Sequence, residues 1–147
     1  MIQRLLLLLL SFSLLAASCR SSKKKPHVPK GDAELTNTYW RLAEMNGKAV
    51  ETPADARDVF IRLITRRGKL EGFTGCNMIE GTHSEGRKGA IEFKAMTTLM
   101  ACEERTDVEQ YVLRALSKAN RYLINDKHLL LYNDNYLLAI FEARYYK

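Results

Sequence analysis

Residues 106–145 read TDVEQYVLRALSKANRYLINDKHLLLYNDNYLLAIFEARY, and a change of hydrophobic period inside this stretch decides the fold class. Val108, Tyr111, Val112, Ala115, Leu116 and Ala119 recur at spacings of three and four, which lines one face of a helix. Arg114, Ser117 and Lys118 fall on the opposite face. Thr106-x-x-Glu109 opens the run as a capping box, in which hydroxyl and carboxylate satisfy backbone N–H groups that the first helical turn leaves open. After Ala119 the pattern changes. Residues 121–124, 128–132 and 136–145 are strand-like, separated by Asn125-Asp126 and Asn133-Asp134-Asn135, residues that form turns through their short polar side chains. A helix followed by a three-stranded meander is expected. In the last strand Leu137, Ala139 and Phe141 face one way and Leu138 and Ile140 the other, as in a central strand covered on both sides.

Upstream the signals are also of strands. Trp40 and Leu42 alternate with Tyr39 and Arg41, and Asn46-Gly47 is a hairpin turn. Residues 58–65 are rich in β-branched and aromatic types, Arg67-Gly68 ends them, and 69–74 return. The Gly-rich turn at 85–89 separates residues 78–82 from 90–94 as another hairpin. The expected class is α+β: a curved antiparallel β-sheet, a partial barrel, packed on one main α-helix. A chain of 147 residues has room for one such domain, here residues 32–147.

The first 31 residues have a different character. Arg4 precedes an apolar run from Leu5 to Leu15 broken only by Ser11 and Ser13, and Ala16-Ala17-Ser18 leads directly to Cys19. A basic start, a short apolar core and small residues describe a secretory signal peptide, residues 1–18. The thirteen residues from Leu5 to Ala17 fall short of the ~20 needed to span a bilayer. Leu15-Ala16-Ala17-Ser18-Cys19 resembles a bacterial lipobox, with the Leu one position further from the Cys than is usual. That resemblance implies cleavage before Cys19 and its lipidation. Two acyl chains give the stable anchoring that one cannot. Residues 19–31 then read as the lipidated Cys and a basic flexible tether, with Pro26 and Pro29 favouring extended backbone. Lys23, Lys24 and Lys25 either reinforce contact with an anionic membrane or keep the tether solvated. Arg20 after Cys19 fits an outer-membrane destination, facing the periplasm, under sorting rules of the enterobacterial type.

Charge excludes one class of function. The chain carries 23 Lys and Arg against 17 Asp and Glu, net +6. Six of the basic residues and none of the acidic ones precede Gly31, so the body is neutral. A nucleic-acid-binding domain carries its excess on the folded surface, and no nucleic-acid partner is expected.

Between the early strands and the helix lies a distinctive series. It runs Gly72-Phe73-Thr74-Gly75-Cys76-Asn77, then Gly81, then Ile91-Glu92-Phe93, then Thr97-Thr98-Leu99-Met100-Ala101-Cys102. With Tyr39-Trp40-Arg41-Leu42 upstream, it resembles the META domain of HslJ-like bacterial envelope proteins over nearly all of residues 36–143. Trp40, Gly75, Asn77, Gly81 and Met100 carry the motif. The family often has an aromatic after the glycine, where Thr82-His83 stands here. The resemblance implies the α+β fold, an envelope location and an association with stress and envelope integrity, but no biochemical activity.

Cys76 and Cys102 have three readings. In an oxidising compartment, with Cys19 acylated, they are the two thiols left to pair, and a bridge would stabilise by roughly 3.5 kcal/mol in the chain-entropy model. Two buried thiols are the second reading. The third is a nucleophilic Cys76 with His83 as base, although no oxyanion element is visible. His27, His83 and His128 lack metal-ligand spacing among themselves or with the cysteines, so no metal and no cofactor is expected, and no catalytic residue is assigned. Glu103 and Glu104 suit the positive end of the helix. Three functions follow: a non-enzymatic membrane-anchored lipoprotein making envelope protein contacts, a carrier of a small apolar ligand in the concave face of the sheet, or a Cys-dependent enzyme.

Overall fold

A computed structural model of the chain describes residues 32–101 and 106–146. The leader, Cys19, the tether and Cys102 lie outside the described residues.

The strands are β1 (Tyr39–Met45), β2 (Lys48–Ala49), β3 (Phe60–Ile64), β4 (Lys69–Phe73), β5 (Met78–Glu85), β6 (Ile91–Thr97), β7 (Arg121–Asn125), β8 (His128–Asn133) and β9 (Tyr136–Arg144), with helix α1 (Thr106–Lys118) between β6 and β7. They form one sheet in the order β6-β5-β4-β3-β1-β9-β8-β7, and β2 pairs with β1. Every strand pair is antiparallel. The two end strands touch only at their beginnings, through an Ala90–Arg121 bridge and an Ile91 N–H to Asn120 carbonyl bond of 3.1 Å. The sheet therefore curls into a partial barrel, and α1 packs on β6, β8 and β9. This is the expected α+β architecture.

The interior is packed with side chains. Trp40, Leu42, Ile61, Leu63, Leu70, Ile79, Leu129, Leu131 and Phe141 are at most 1% exposed, and Val112 and Leu116 of α1 close over them. The Trp40 indole N–H, which burial would strand without a partner, donates to the Leu35 carbonyl at 2.9 Å. The concave face is thus core. β9 departs from expectation: Ala139, Phe141 and Ala143 are buried, while Leu138 and Ile140 are half-buried and Leu137 is 41% exposed. One face of the strand meets the core, and the other is only partly covered.

Antiparallel order places successive turns at alternate ends, so the barrel has two rims of different content. The chain enters at the first, which also holds the β3–β4, β5–β6 and β7–β8 turns and the end of β9. The second holds the β1–β2 and β8–β9 turns, the β4–β5 corner, the exit of β6 and the first turns of α1.

Candidate functional site

The motif residues converge on the second rim. Between β4 and β5 the chain makes a corner at Thr74-Gly75-Cys76-Asn77, where Gly75 takes φ +104°, a conformation that a side chain would oppose. The Thr74 N–H donates to the Asn77 carbonyl at 2.9 Å, closing the corner. The Asn77 N–H donates to Thr74 Oγ1 at 2.9 Å. Thr74 and Asn77 are 0% and 3% exposed, so each polar atom there needs a protein partner.

The Asn77 amide is the hub. Its Oδ1 accepts from Thr98 Oγ1 at 2.7 Å and from the Met100 N–H at 2.9 Å. Its Nδ2 faces Cys76 Sγ, the Met100 carbonyl and both Glu109 oxygens at 3.1–3.2 Å. Glu109 Oε2 also accepts from the Thr74 hydroxyl at 2.7 Å. One side chain thus joins the β4–β5 corner, the segment after β6 and the first turns of α1. The capping-box motif marks the start of the helix, but the Glu109 carboxylate reaches across to the sheet. Cys76 Sγ lies 3.6 Å from the Met100 carbonyl oxygen, two residues before Cys102 in sequence.

Gly81 and Trp40 support this corner from a distance. A Cβ at Gly81 would run into the Lys94 carbonyl on β6, so only glycine lets β5 and β6 approach this closely. Trp40 is in the core. Met100, by contrast, contributes its backbone to the clasp while its side chain is 62% exposed.

The nucleophile–base pair is not assembled. His83 lies near the far end of β5 from Cys76, about 17 Å along the strand at ~3.3 Å per residue. Its Nε2 is 3.4 Å from the Ile64 carbonyl and its Nδ1 is 3.8 Å from Glu85 Oε1. Among the described residues no group of His, Cys, Asp and Glu has the arrangement of a metal site. An open cleft of ≈ 320 Å³ lies between α1 and β9, lined by Glu44, Tyr111, Arg114, Lys118 and Leu137 among others. The Tyr111 hydroxyl donates to the Leu138 carbonyl and accepts from the Asn46 N–H at its wall.

Around the clasp four large apolar side chains are exposed, with Arg57 against Met78 and Glu80 opposite Met96. Met78, Met96, Leu99 and Met100 are 36%, 72%, 97% and 62% exposed. Glu80 and Met96 are cross-strand neighbours, and the Thr98 N–H donates to the Met78 carbonyl at 3.2 Å. Cys76, Asn77 and Met100 share one motif in the sequence, but nothing local marks Glu109 and Thr98 as their partners. Nor does spacing mark the methionines as a patch. The signal for the patch was the composition of residues 96–100, which have no burial periodicity.

A family model described as META domain matches residues 33–145. Two solved structures share the fold. An NMR structure of a protein from Burkholderia xenovorans is 23% identical, covers 84% of this chain and 96% of its own, and superposes with a TM-score of 0.59. A second NMR structure is 18% identical, covering 74% and 90%, with a TM-score of 0.58. The match spans 96% and 90% of those two chains. Comparison with curated proteins gives no match.

Proposed function

This chain belongs to the META domain family, and on that footing we propose that it is a non-enzymatic contact and support module of the bacterial envelope, anchored by lipid on Cys19. The observation that carries this reading is the exposed Met78–Met96–Leu99–Met100 surface, held in place by the buried Asn77 clasp. Methionine is flexible and polarisable, and suits a surface that must fit a partner. A filled barrel interior favours contact over transport, because the concave face that would hold an apolar ligand is occupied by Trp40, Leu70 and Phe141. Of two open clefts beside α1, one bears Glu44, Arg114 and Lys118 and the other, along β6, bears Lys94, Arg114 and Ser117, and neither is a good match for an acyl chain.

A Cys76–Cys102 bridge belongs to the same proposal. The segment after β6 is held beside Cys76 by the Asn77 bonds to the Met100 backbone, so a covalent tie at Cys102 would fix the apolar patch further. The lipobox-like site and Arg20 after Cys19 support a proposed location at the outer membrane, facing the periplasm.

Two measurements test the reading. Intact mass of the membrane-extracted chain should show loss of residues 1–18 and a diacylglyceryl-type addition, absent in Cys19→Ser. A photo-crosslinker at Leu99 in living cells should give a discrete adduct with one envelope protein that is lost on Met96→Ser with Met100→Ser. Equal adducts from a crosslinker at Glu92 would refute the patch as the contact surface.

A further inference from the structure

The first rim has a property that the contact function does not use. The β3–β4 and β5–β6 hairpins turn on the same three-residue pattern, Arg66-Arg67-Gly68 and Arg87-Lys88-Gly89. In each the middle residue sits at positive φ, +60° for Arg67 and +59° for Lys88. The other non-glycine residues at positive φ are Asn37, Asn46, Asp126 and Asp134, the types whose short polar side chains tolerate this region. Arg67 and Lys88 are the exceptions, so local conformation does not explain their identity.

Partnering points the same way. Among the described residues, Arg41 and Arg144 pair with Glu142, and Arg62 and Lys69 with Glu71. Arg57 lies over Phe60 and Phe73, and Arg121 over Tyr132. Among the described residues Lys48, Lys94 and Lys118 have no such partner, nor do five further exposed cations, Arg66, Arg67, Arg87, Lys88 and Lys127. All five lie on the rim where the chain enters the fold. There the Ala33 N–H donates to the Asp126 carbonyl and the Asp126 N–H to Asp32 Oδ1, both at 2.7 Å. The rim also carries the carboxylates of Asp32, Glu34, Glu85 and Asp126. Asp32 is engaged by that backbone bond, and Glu85 faces His83.

From this we propose that the rim bearing the β3–β4, β5–β6 and β7–β8 turns is a docking surface for anionic phospholipid headgroups. The inference rests on the anchored reading above. The twelve residues between Cys19 and Asp32 reach at most about 40 Å, and they deliver the fold to the membrane with this rim leading. Lys23, Lys24, Lys25 and Lys30 stand in that stretch of the sequence. Unpaired cations near an anionic surface are attracted over about one Debye length. The domain then stands upright, with the methionine-rich rim turned away from the bilayer.

The test uses residues 20–147 without lipid, so that binding reports the protein surface alone. Vesicles of phosphatidylethanolamine and phosphatidylglycerol at 3:1 are compared with phosphatidylcholine vesicles by co-sedimentation at low and physiological salt. The unlipidated chain should partition about tenfold better onto the anionic vesicles, with the difference shrinking as salt rises. A turn variant (Arg66→Gln, Arg67→Asn, Arg87→Gln, Lys88→Asn) keeps both turns and should lose roughly fivefold. A control variant (Lys48→Gln, Lys94→Gln, Lys118→Gln) removes unpaired cations from elsewhere and should bind like the parent. A turn variant within about twofold of the parent, or a control that loses as much, overturns the docking surface. The Cys19 mass measurement is separate: a chain without lipid whose turn variant still loses binding keeps the surface and refutes the anchor.

Discussion

The two rims of the barrel hold their polar groups in opposite ways. On the second rim Asn77 and Thr74 are buried and Glu109 is half-buried, and each answers another with a hydrogen bond. On the first rim Arg66, Arg67, Arg87 and Lys88 are exposed and unanswered among the described residues. A buried polar group that loses its partner costs far more than an exposed one. The second rim should therefore govern stability, and the first should govern what the protein meets in solution.

The largest effect should come from the proposed bridge. Replacing Cys102 by Ser should lower unfolding free energy by roughly 3.5 kcal/mol, read as a urea midpoint, and alkylation before reduction should leave Cys76 unmodified in the parent. Two alkyl groups on the parent would remove the covalent tie from the second rim. Asn77→Ala comes next, at about 3 kcal/mol, because it takes the partner from the Thr98 hydroxyl and the Met100 backbone and leaves Glu109 with Thr74 alone. A loss below about 1 kcal/mol would mean that the hub is redundant. Gly81→Ala should cost about 2 kcal/mol by forcing β5 from β6 at Lys94, measured in the same way.

On the first rim the effects on stability should be small and of the other sign. Arg67→Asn and Lys88→Asn place a residue suited to positive φ and should stabilise by about 0.5 kcal/mol each, visible as a slight rise in Tm. A loss of 1 kcal/mol or more, to order of magnitude, would show that these cations support the fold.

The smallest effect is a pH dependence. Burial raises the phenols of Tyr39, Tyr122, Tyr145 and Tyr146 above 10.0. Tyr39 stacks on Phe60 at 4.2 Å, and Tyr146 meets its edge at 4.9 Å and donates to Asp58. The folded state thus holds these protons more tightly than the unfolded one. Their contribution is complete below about pH 10 and is lost as pH rises above it. Denaturation midpoints should be flat to about pH 9 and fall by pH 11, with Tyr39→Phe reducing the fall.

The legible part of this molecule was its periodic part. Val108, Val112, Ala115 and Leu116 are buried along α1, as their spacing requires. The turns at Asn46-Gly47, Arg67-Gly68 and around Asp126 fall between strands, and Asn46, Gly47, Gly68 and Asp126 are of the types that accept the positive φ found there. Leu137 was misread: alternation says which residues share a face of β9, but not whether anything covers that face. Glu109 was half read, since a carboxylate three residues into a helix is a local pattern, whereas its partners Thr74 and Asn77 are 35 and 32 residues away.

By itself, the order of residues determined the α+β class, the single helix, the hairpins and the neutral charge of the body. Those depend on period, turn chemistry and composition, which act over a few residues at a time. Only the tertiary structure decided that Asn77 would join three segments, that His83 would stand apart from Cys76, and that four exposed basic residues in two hairpin turns would share a rim with the entry of the chain. Those outcomes depend on which strands become neighbours and on the direction in which each runs, and curling the sheet sets them for the whole chain at once.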